Sequence, residues 1–390
     1  MSLEVVSLGC RLNLSESESL RRLLVGEDNL IVINSCAVTG EAVRQTRQAI
    51  RRARRARPDA RLMVTGCAAD VERAALGAMD EVDGLIANAA KLDPRAWNVA
   101  PAGEAVLPRH TRAFIAVQNG CDHACTFCVI PQGRGASRSH PVTEVLREME
   151  RHLDAGAREV VLTGVDLTSW GHDLPGAPGL GILVAAILST FPALERLRLS
   201  SLDGVEIDPL LLDLIASEQR VMPHVHLSLQ AGDDLILKRM KRRHSRADAL
   251  TLVSGLRARR PELSVGADVI AGFPTEDEAM HANSLAAIRE LGVVHGHIFP
   301  YSPRPGTPAA RMPQVAVPVI RARAAELRSA VADVRARWLE SLLGQPLSVL
   351  AERDGTGHAP NFARVQLPPG TTAGTILTVT PTRIVEGLLA

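Results

Sequence analysis

The feature of the sequence that most constrains its fold is a short phrase that occurs three times in the first third of the chain. Each copy is an apolar run that ends in a small residue and a cysteine, and the copies span residues 3–10, 30–36 and 61–67. A helical pattern follows each copy, over residues 15–24, 41–57 and 70–76. Short strands that alternate with helices predict βαβ units, and therefore a parallel sheet.

The cysteines that end these phrases are Cys10, Cys36 and Cys67. Right-handed crossovers bring the carboxyl ends of parallel strands to one edge of the sheet, where α/β proteins build their sites. The alternative is three separate buried cysteines, since burial is a common fate for that residue. Because each cysteine stands at the end of a strand, we favour a shared site at the sheet edge.

The middle of the chain also alternates strands and helices. Apolar runs that predict strands span residues 113–117, 159–162, 196–199, 224–229, 265–270 and 295–299. Helical patterns lie between them, for example over residues 143–155, 246–257 and 276–291. Six strands with five crossovers predict an α/β barrel or an open part of one, whose site lies at the carboxyl ends of the strands.

The remaining segments predict how the chain divides into domains. The polar, proline-containing stretch 91–109 predicts a linker, and residues 317–343 predict a long helix that Gly344 ends. The β-type runs 347–351, 362–365 and 375–379, separated by glycine and proline turns, predict a small antiparallel barrel. We therefore expect an N-terminal domain at 1–95, a central domain at 107–316, a linking helix at 317–344 and a β domain at 345–390.

Cysteine is the part of the composition that bears most on function. All six cysteines lie in the first third of the chain, and neither a signal peptide nor an apolar stretch of bilayer length is recognisable. We therefore expect a cytoplasmic protein, in which thiols hold metals or react more often than they form disulfides. A hydrophobic share of 46% excludes disorder. An aromatic content of 3% argues against a protein that stacks single-stranded bases.

The sharpest local motif contains Cys121, Cys125 and Cys128 in the spacing C-x3-C-x2-C, directly after the first strand of the central module. Three thiolates can surround one metal centre, and iron–sulfur clusters prefer cysteine ligands. A four-iron cluster held by three cysteines keeps one iron open, as reactive metal sites do. The alternative is zinc with His123 as fourth ligand, but zinc sites usually contain two short ligand pairs, and no second pair follows.

This motif resembles that of the radical S-adenosylmethionine enzymes, and Phe127 fits the aromatic residue which that family places before the third cysteine. The three upstream cysteines and the small C-terminal β domain narrow the resemblance to the methylthiotransferases, whose C-terminal domain is of the TRAM type. The branch that acts on N6-threonylcarbamoyladenosine of tRNA is similar over four segments, NSCAVTG at 34–40, NGCDHACTFCVIPQGRGASRSH at 119–140, LKRMKRR at 237–243 and FPYSPRPGTPAA at 299–310. The likeness covers essentially the whole chain.

The resemblance implies two 4Fe–4S clusters and S-adenosylmethionine as cofactors. Cys121, Cys125 and Cys128 would hold the cluster that cleaves S-adenosylmethionine to a 5′-deoxyadenosyl radical, and would be catalytic. Cys10, Cys36 and Cys67 would hold the second cluster, which carries or delivers sulfur. The product would be a methylthio group at C2 of the adenine next to the anticodon, with S-adenosylmethionine as both methyl donor and radical source. A flavodoxin-like or ferredoxin-like electron donor and a separate sulfur donor would be partners.

Other residues are assigned less specifically. Asp166, Ser228 and Gln230, at strand ends of the central module, are predicted neighbours of the cofactor, although Asp166 fits a turn-capping role equally well. Arginines and lysines cluster strongly for a chain of net charge +1. We expect tRNA phosphate contacts, with solvated surface as the alternative, from Arg51, Arg52, Arg54, Arg55, Lys238, Lys241, Arg242 and Arg243. Arg134 and Arg138 are expected to contact the nucleotide itself.

Three other functions remain open from the sequence. The same chemistry could act on N6-isopentenyladenosine of tRNA or on an aspartate of a ribosomal protein. A chain with the same cysteines could also be a non-catalytic iron–sulfur protein that binds RNA. The terminal β domain is shorter than the RNA-binding domain usual in the family and carries as many acidic as basic residues, so we expect it to act as a lid or docking surface.

Overall fold

The structure is a computed structural model that describes residues 3–100 and 111–390. Its N-terminal part is a four-stranded sheet, parallel throughout, whose strands follow one another in chain order, Glu4–Ser7, Leu30–Ser35, Arg61–Gly66 and Gly84–Leu85. The associated helices are Arg11–Leu23, Gly40–Ala56, Cys67–Val71, Arg73–Gly77 and Pro94–Trp97, with a 3-10 turn at Asn88–Ala90. The predicted parallel sheet is confirmed, but the third predicted helix is divided into two short ones.

The central part contains all six predicted strands in parallel order. They are Arg112–Ala116, Glu159–Thr163, Arg196–Leu199 continued by Ser201–Leu202, His224–Gln230, Ser264–Ala271 and Val293–Pro300. The α-helices of this part are Ile130–Arg134, Val142–Asp154, Leu180–Thr190, Pro209–Ser217, Asp234–Arg239, Arg246–Arg259 and Glu278–Leu291, with 3-10 turns at Leu167–Ser169, Gly204–Glu206 and Pro308–Arg311. A short antiparallel pair, Gln118–Asn119 with Arg138–Ser139, frames the cysteine loop. The predicted open α/β barrel is confirmed.

Alternation along the barrel strands separates two environments. One set of side chains packs under the helices in the main apolar core, as Ile115, Leu162, Leu197 and Val225 do. The alternate residues point to the inside of the barrel, and many of them are charged or polar, including Arg112, Glu159, Arg196, Arg198, His224, His226, Asp268 and His297. Barrel interiors are usually filled by branched apolar side chains, so this polar interior has to be explained by ion pairs or by a ligand.

The segment predicted as a linker is in part integral to the N-terminal domain. Lys91 is 1% exposed and its ammonium group binds the Glu16 carboxylate, while the indole of Trp97 donates to the Lys91 carbonyl. Hydrogen bonds and burial therefore place Lys91 and Trp97 within the N-terminal domain, so the predicted linker does not begin at residue 91. Residues 101–109, including the expected start of the central domain at 107, lie outside the described residues.

The C-terminal part begins with helix Val317–Glu340, whose apolar side chains join the barrel core. Gly344, with φ of +74°, lies in the turn beyond it. The strands that follow are Leu347–Ala351, Thr356–His358, Arg364–Gln366, Ile376–Val379, Ile384–Val385 and Leu388–Leu389, in one sheet with a single parallel pairing. Phe362, predicted in a strand, instead has φ of +68° and lies in a turn.

The terminal sheet docks against the amino-terminal ends of the barrel strands. Arg196 donates to the carbonyl oxygens of Ser348 and His358, and Ser264 Oγ donates to the carbonyl of Asn361. The Phe362 ring stacks on His224 with ring centroids 5.1 Å apart. The module therefore covers the end of the barrel opposite the carboxyl ends of the strands. None of the described helices is long and apolar enough to cross a membrane.

Candidate active site

The first cysteine set lies at the carboxyl edge of the N-terminal sheet, as the strand pattern predicts. Cys10 caps helix Arg11–Leu23, Cys36 follows strand Leu30–Ser35, and Cys67 opens helix Cys67–Val71. A Cβ atom placed on Gly9 would lie 2.7 Å from Cys36 Sγ, so the residue before Cys10 packs directly on Cys36. Both Cys10 and Cys67 act electrostatically on the Cys36 thiol. The three side chains therefore share one neighbourhood.

This neighbourhood has the character of a soft-metal site. None of the six cysteines forms a disulfide. Burial raises the pKa of Cys36 to about 11 and also raises the pKa of Cys67, whereas Arg134 lowers both. Cys36 and Cys67 are buried and Cys10 is exposed. Three thiols that converge without forming disulfides, next to a fixed positive charge, fit a cluster that carries net negative charge through its thiolate ligands.

The second cysteine set occupies the loop after the first barrel strand. The backbone N–H of His123 donates to Cys121 Sγ and that of Ile130 to Cys128 Sγ, both at 3.4 Å. Burial raises the pKa of Cys121 to about 12 and that of Cys128 to about 11. N–H groups aimed at sulfur are the usual surroundings of iron–sulfur clusters, so these three residues also fit a cluster.

A glycine is required to shape this loop. Gly120 has φ of +76°, and a Cβ atom there would lie 1.9 Å from the carbonyl oxygen of Ala136. The loop closes on itself at this point, because Cys121 N–H donates to the carbonyl of Gly135. The close approach of the two chain segments therefore holds Cys121 in place.

The two cysteine sets face each other across helix Ile130–Arg134. A Cβ atom on Gly133 of this helix would lie 3.2 Å from Cys67 Cβ, and Asn88 Nδ2 donates to the carbonyl of Gly133. Cys67 also acts electrostatically on Cys128, a member of the second set. Any group held between the sets is therefore within reach of both.

The Arg134 side chain is buried between the barrel and the N-terminal domain, so the prediction that it contacts the nucleotide is corrected. It is 3% exposed, and its guanidinium donates to Glu16 Oε1 at 2.8 Å and to Asn13 Oδ1 at 2.5 Å. Burial alone would raise the pKa of Glu16, but Lys91 and Arg134 together lower it. Arg134 thus joins the cysteine loop of the barrel to helix Arg11–Leu23.

Asp166 lies beside the second cysteine set. Its Oδ2 is 3.8 Å from Cys121 Sγ, accepts from Ser169 Oγ at 2.6 Å and pairs with His123 Nε2 at 2.7 Å. The hydrogen bonds that His123 donates to the carboxylates of Asp166 and then Glu206 raise the pKa of His123 to about 10. The His123 imidazole is therefore paired with two carboxylates beside Cys121.

Ser228 and Gln230 lie at the carboxyl end of the fourth barrel strand, where the strand register shifts and Gln230 takes φ of +66°. The Ser228 carbonyl accepts from Arg242, whose guanidinium also donates to Cys125 Sγ at 3.6 Å. Arg242 is thus a neighbour of the cysteine loop and pairs with Asp203. Its predicted phosphate contact is corrected, because the side chain is buried and both of its terminal nitrogens bind groups inside the protein.

Of the other basic residues, Arg54 is also committed internally. It donates to the carbonyls of Glu81, Pro58 and Ala60 and pairs with Asp83, so it braces the end of its helix instead of facing RNA. Arg243 is half-exposed but pairs with Glu206 and Asp203. The residues that stay exposed are Arg51, Arg52, Arg55, Arg138, Lys238 and Lys241.

The barrel interior holds two features that the sequence patterns did not single out. Asp268 Oδ1 lies 3.0 Å from both His226 Nε2 and His297 Nδ1; although burial would raise its pKa, these histidines lower it. The guanidinium of Arg11, the residue after Cys10, lies over the Phe362 ring, 5.8 Å from its centroid. Only the alternation of polar residues in the barrel strands could have indicated such an interior.

Comparison with known proteins defines the class. Residues 115–287 match the radical SAM superfamily and residues 2–87 match uncharacterized protein family UPF0004. The solved structure of TsrM from Kitasatospora setae, a radical S-adenosylmethionine methyltransferase, superposes with a TM-score of 0.55 at 16% identity, covering 76% of this chain and 66% of that one. At that identity the likeness establishes the fold alone, which is that of a radical S-adenosylmethionine protein.

Sequence relatives define the family within that class. The chain is 43% identical to the threonylcarbamoyladenosine tRNA methylthiotransferase MtaB of Rickettsia prowazekii, over 99% of this chain and 96% of that protein. It is 34% identical to the MtaB of Chlamydia pneumoniae, covering 98% and 96%. It is 33% identical to a tRNA-2-methylthio-N6-dimethylallyladenosine synthase of Erythrobacter litoralis, covering 90% and 86%. The chain belongs to the radical S-adenosylmethionine methylthiotransferases that modify tRNA, and the predicted family is confirmed.

Proposed function

We propose that this protein adds a methylthio group to C2 of N6-threonylcarbamoyladenosine in tRNA, at the adenosine next to the anticodon. The observation that carries the proposal is the pair of cysteine sets that face each other across helix Ile130–Arg134, in a chain 43% identical over nearly its full length to a threonylcarbamoyladenosine methylthiotransferase. One set suits radical generation and the other suits sulfur delivery to the same base.

Two 4Fe–4S clusters and S-adenosylmethionine are the cofactors of this proposal. Cys121, Cys125 and Cys128 would hold one cluster, and Cys10, Cys36 and Cys67 the other. When bound, these cofactors supply the radical that activates the adenine C2–H bond, the sulfur atom and the methyl group. The protein contributes binding, orientation, redox tuning and exclusion of water.

Arg242 is suited to tune the cluster of the second cysteine set. Its guanidinium places a positive charge and an N–H donor 3.6 Å from Cys125 Sγ. Hydrogen bonds to cluster sulfurs and nearby positive charge both favour the reduced state. Asp203 holds Arg242 in position at 2.8 Å, so the orientation of this charge does not depend on the substrate.

Asp166 is suited to receive the amino group of S-adenosylmethionine. Its carboxylate lies next to Cys121 and already accepts from Ser169 and from protonated His123. Ser228 and Gln230 lie across the barrel mouth, on the fourth strand, and we propose them as further contacts of the same cofactor. Glu16, Lys91 and Arg134 act at a distance by fixing the separation of the two cysteine sets.

Phosphate contacts with tRNA are proposed for the residues whose side chains remain free of the interior. The first group lies on helix Gly40–Ala56, and we call it the exposed helix arginines; it consists of Arg51, Arg52 and Arg55. The second consists of Arg138, Lys238 and Lys241, around the barrel mouth. Arg243 is added to it because its side chain is half-exposed, although it also pairs with Glu206 and Asp203. We also propose a cytoplasmic enzyme that takes electrons from a flavodoxin-like or ferredoxin-like protein and receives sulfur from a separate donor.

Nucleoside mass analysis tests the function. Protein reconstituted without oxygen with iron and sulfide, a strong reductant and S-adenosylmethionine should convert N6-threonylcarbamoyladenosine in tRNA to its 2-methylthio derivative and release 5′-deoxyadenosine. Activity only on isopentenyladenosine tRNA, or only on a ribosomal protein aspartate, would replace the substrate. Iron binding without cleavage of S-adenosylmethionine would make the chain a non-catalytic iron–sulfur protein.

A further inference from the structure

Arg11 connects the first cysteine set to the interior of the barrel. It follows Cys10 directly, yet its guanidinium lies over Phe362, which belongs to the terminal sheet. The guanidinium groups of two barrel residues, Arg112 and Arg198, surround the same ring at 5.6 and 4.9 Å from its centroid. Side chains from the N-terminal, central and C-terminal parts of the chain therefore meet at one point.

The two barrel arginines at this point are neutralised within the protein. Arg112 pairs with Glu159 and Glu352. Arg198 binds Glu159 Oε1 at 2.8 Å and donates to the carbonyls of Pro360 and Ala359, also at 2.8 Å. Glu159 is therefore shared among Arg112, Arg198 and, at 3.9 Å, Arg196, and it acts on Arg11 only through space.

Arg11, by contrast, has no hydrogen bond or ion pair with any residue in the described part of the chain. Asp268, the other acid of the interior, is held by His226 and His297 through the same oxygen. Burial and the charges of Arg112 and Arg198 lower the pKa of Arg11, and the more distant carboxylates of Glu159 and Asp268 offset this only in part. A half-buried guanidinium that binds no anion directly loses solvation without a hydrogen-bonded partner in exchange. An anion from outside the chain that pairs with this guanidinium would explain why Arg11 lies here.

The interior is open to such an anion. The His297 side chain is 58% exposed and that of Asp268 is 20% exposed, although both point to the inside of the barrel. Solvent therefore reaches the interior beside Arg11. Arg11 directly follows Cys10 at the start of helix Arg11–Leu23, so a ligand held at the first cysteine set lies close to this residue.

The relatives of this chain act on two nucleosides that differ in charge at one place. According to their names, some modify threonylcarbamoyladenosine and others dimethylallyladenosine. The threonylcarbamoyl group ends in a carboxylate, whereas the dimethylallyl group is an apolar hydrocarbon. In adenine, C2 and the N6-bearing carbon flank the same ring nitrogen, so a base whose C2 faces the cysteines carries its N6 substituent close beside them.

We propose that Arg11 binds the carboxylate of the threonylcarbamoyl group and so selects the acidic nucleoside over the apolar one. The proposal rests on the proposed function and names the residue that fixes its substrate. A guanidinium can hold a carboxylate through two parallel N–H···O bonds, which gives orientation as well as affinity. A substrate without that carboxylate leaves the buried charge unpaired, and sites of this kind discriminate strongly.

The test uses anticodon stem-loop RNAs of one sequence that carry threonylcarbamoyladenosine, isopentenyladenosine or unmodified adenosine. Four proteins are compared, namely wild type, Arg11→Gln, Arg11→Lys and the control Arg147→Gln, whose side chain is exposed on helix Val142–Asp154. For each protein and RNA, the dissociation constant, the kcat/KM of methylthiolation, the 5′-deoxyadenosine released without RNA and the iron content are measured at fixed ionic strength.

Wild type and the control should bind the threonylcarbamoyl RNA more tightly than the unmodified RNA. In Arg11→Gln this preference should disappear, with kcat/KM on the threonylcarbamoyl RNA lower by about 10-fold to 100-fold, as expected for loss of a charge-assisted hydrogen bond. Binding of the other two RNAs, iron content and RNA-independent 5′-deoxyadenosine should not change. Arg11→Lys should fall between, because it keeps the charge but not the paired donors.

Failure of this inference differs from failure of the proposed function. If wild type does not methylthiolate the threonylcarbamoyl RNA, the proposed function is wrong. If wild type does, and Arg11→Gln keeps its preference for that RNA, then Arg11 does not read the carboxylate. Equal losses on all three RNAs together with lower iron content would show that Arg11 merely supports the fold or the first cysteine set, and this also overturns the inference.

Discussion

Replacing Glu16 by Gln tests the buried ion cluster that joins the N-terminal domain to the cysteine loop of the barrel. Glu16 is 3% exposed, and its carboxylate binds Lys91 at 2.5 Å and Arg134 at 2.8 Å. A neutral amide would leave two buried cations near each other without an anion. Removing one partner of a buried pair typically costs about 3–5 kcal/mol. We therefore expect the free energy of unfolding of this region to fall by at least about 3 kcal/mol.

Urea unfolding of the cluster-free protein, followed by tryptophan fluorescence, measures this loss. Trp97 reports on the region directly, because its indole donates to the carbonyl of Lys91. The matched control is Glu195→Gln, which removes the carboxylate of the Arg158–Glu195 pair, whose side chains are 43% and 39% exposed. Such a surface pair contributes about 0–1 kcal/mol, so the control should unfold almost like wild type.

A double variant separates charge pairing from loss of packing. Adding Lys91→Met to Glu16→Gln removes one of the unpaired cations, so the double variant should be more stable than the sum of the two single losses implies. A loss below about 1 kcal/mol for Glu16→Gln alone would refute the reasoning. Simple additivity in the double variant would equally show that the cluster is not held by its charges.

Three further outcomes follow from the site and its surroundings. Cys125→Ala should abolish the formation of 5′-deoxyadenosine, whereas Cys36→Ala should leave it measurable and stop methylthiolation of tRNA. Chromatography of 5′-deoxyadenosine and of the methylthiolated nucleoside formed by folded protein measures both. If Cys36→Ala kept the wild-type ratio of these two products, the first cysteine set would be structural. Alanine at the three exposed helix arginines should flatten the salt dependence of tRNA binding. In a filter-binding series, the magnitude of the slope of log association constant against log salt concentration should fall by about 2 to 3. An unchanged slope would mean that these arginines face only solvent. Burial would raise the pKa of Glu159, but Arg198 and Arg112 lower it to about 2 from 4.5. The stabilisation that the charged Glu159 provides is therefore full above about pH 4.5 and is lost as the pH falls toward 2. Glu159→Gln should flatten that part of the curve of stability against pH, measured by circular dichroism. An identical loss of stability at low pH in both proteins would contradict this role of Glu159.

The positions of both cysteine sets could be predicted because they depend on local patterns. Apolar runs ended by Cys10, Cys36 and Cys67 predict parallel strands, and parallel topology then brings the strand ends together without knowledge of any side chain. The cysteine loop after the first barrel strand follows in the same way. Both predictions use periodicity and handedness, which are properties of the backbone.

The roles of long charged side chains could not be predicted in this way. The sequence shows that Arg54 and Arg242 lie in basic clusters and that Arg134 follows the cysteine loop. Each guanidinium nevertheless finds partners that are distant along the chain, namely Glu81, Asp203 and Glu16. A flexible side chain can turn inward or outward from the same backbone position. Only the packing of neighbouring elements decides which direction it takes.

The same limit applies to the segments between domains and to the terminal module. Lys91 opens a stretch that looks like a polar linker, yet its charge is buried against Glu16. Phe362 continues a β-type run, but docking beneath the barrel places it in a turn with positive φ, where it stacks on His224. Tertiary contacts outweigh local propensity at both places.

The docked terminal sheet also has a kinetic consequence. Because it covers the amino-terminal end of the barrel, we expect small molecules and the tRNA base to approach the cysteine loop from the opposite end. The proposed reaction consumes S-adenosylmethionine twice, once for the methyl group and once for the radical. We expect a bound base to hinder the exchange of spent cofactor for fresh, so that tRNA binds after S-adenosylmethionine and leaves before the next molecule enters.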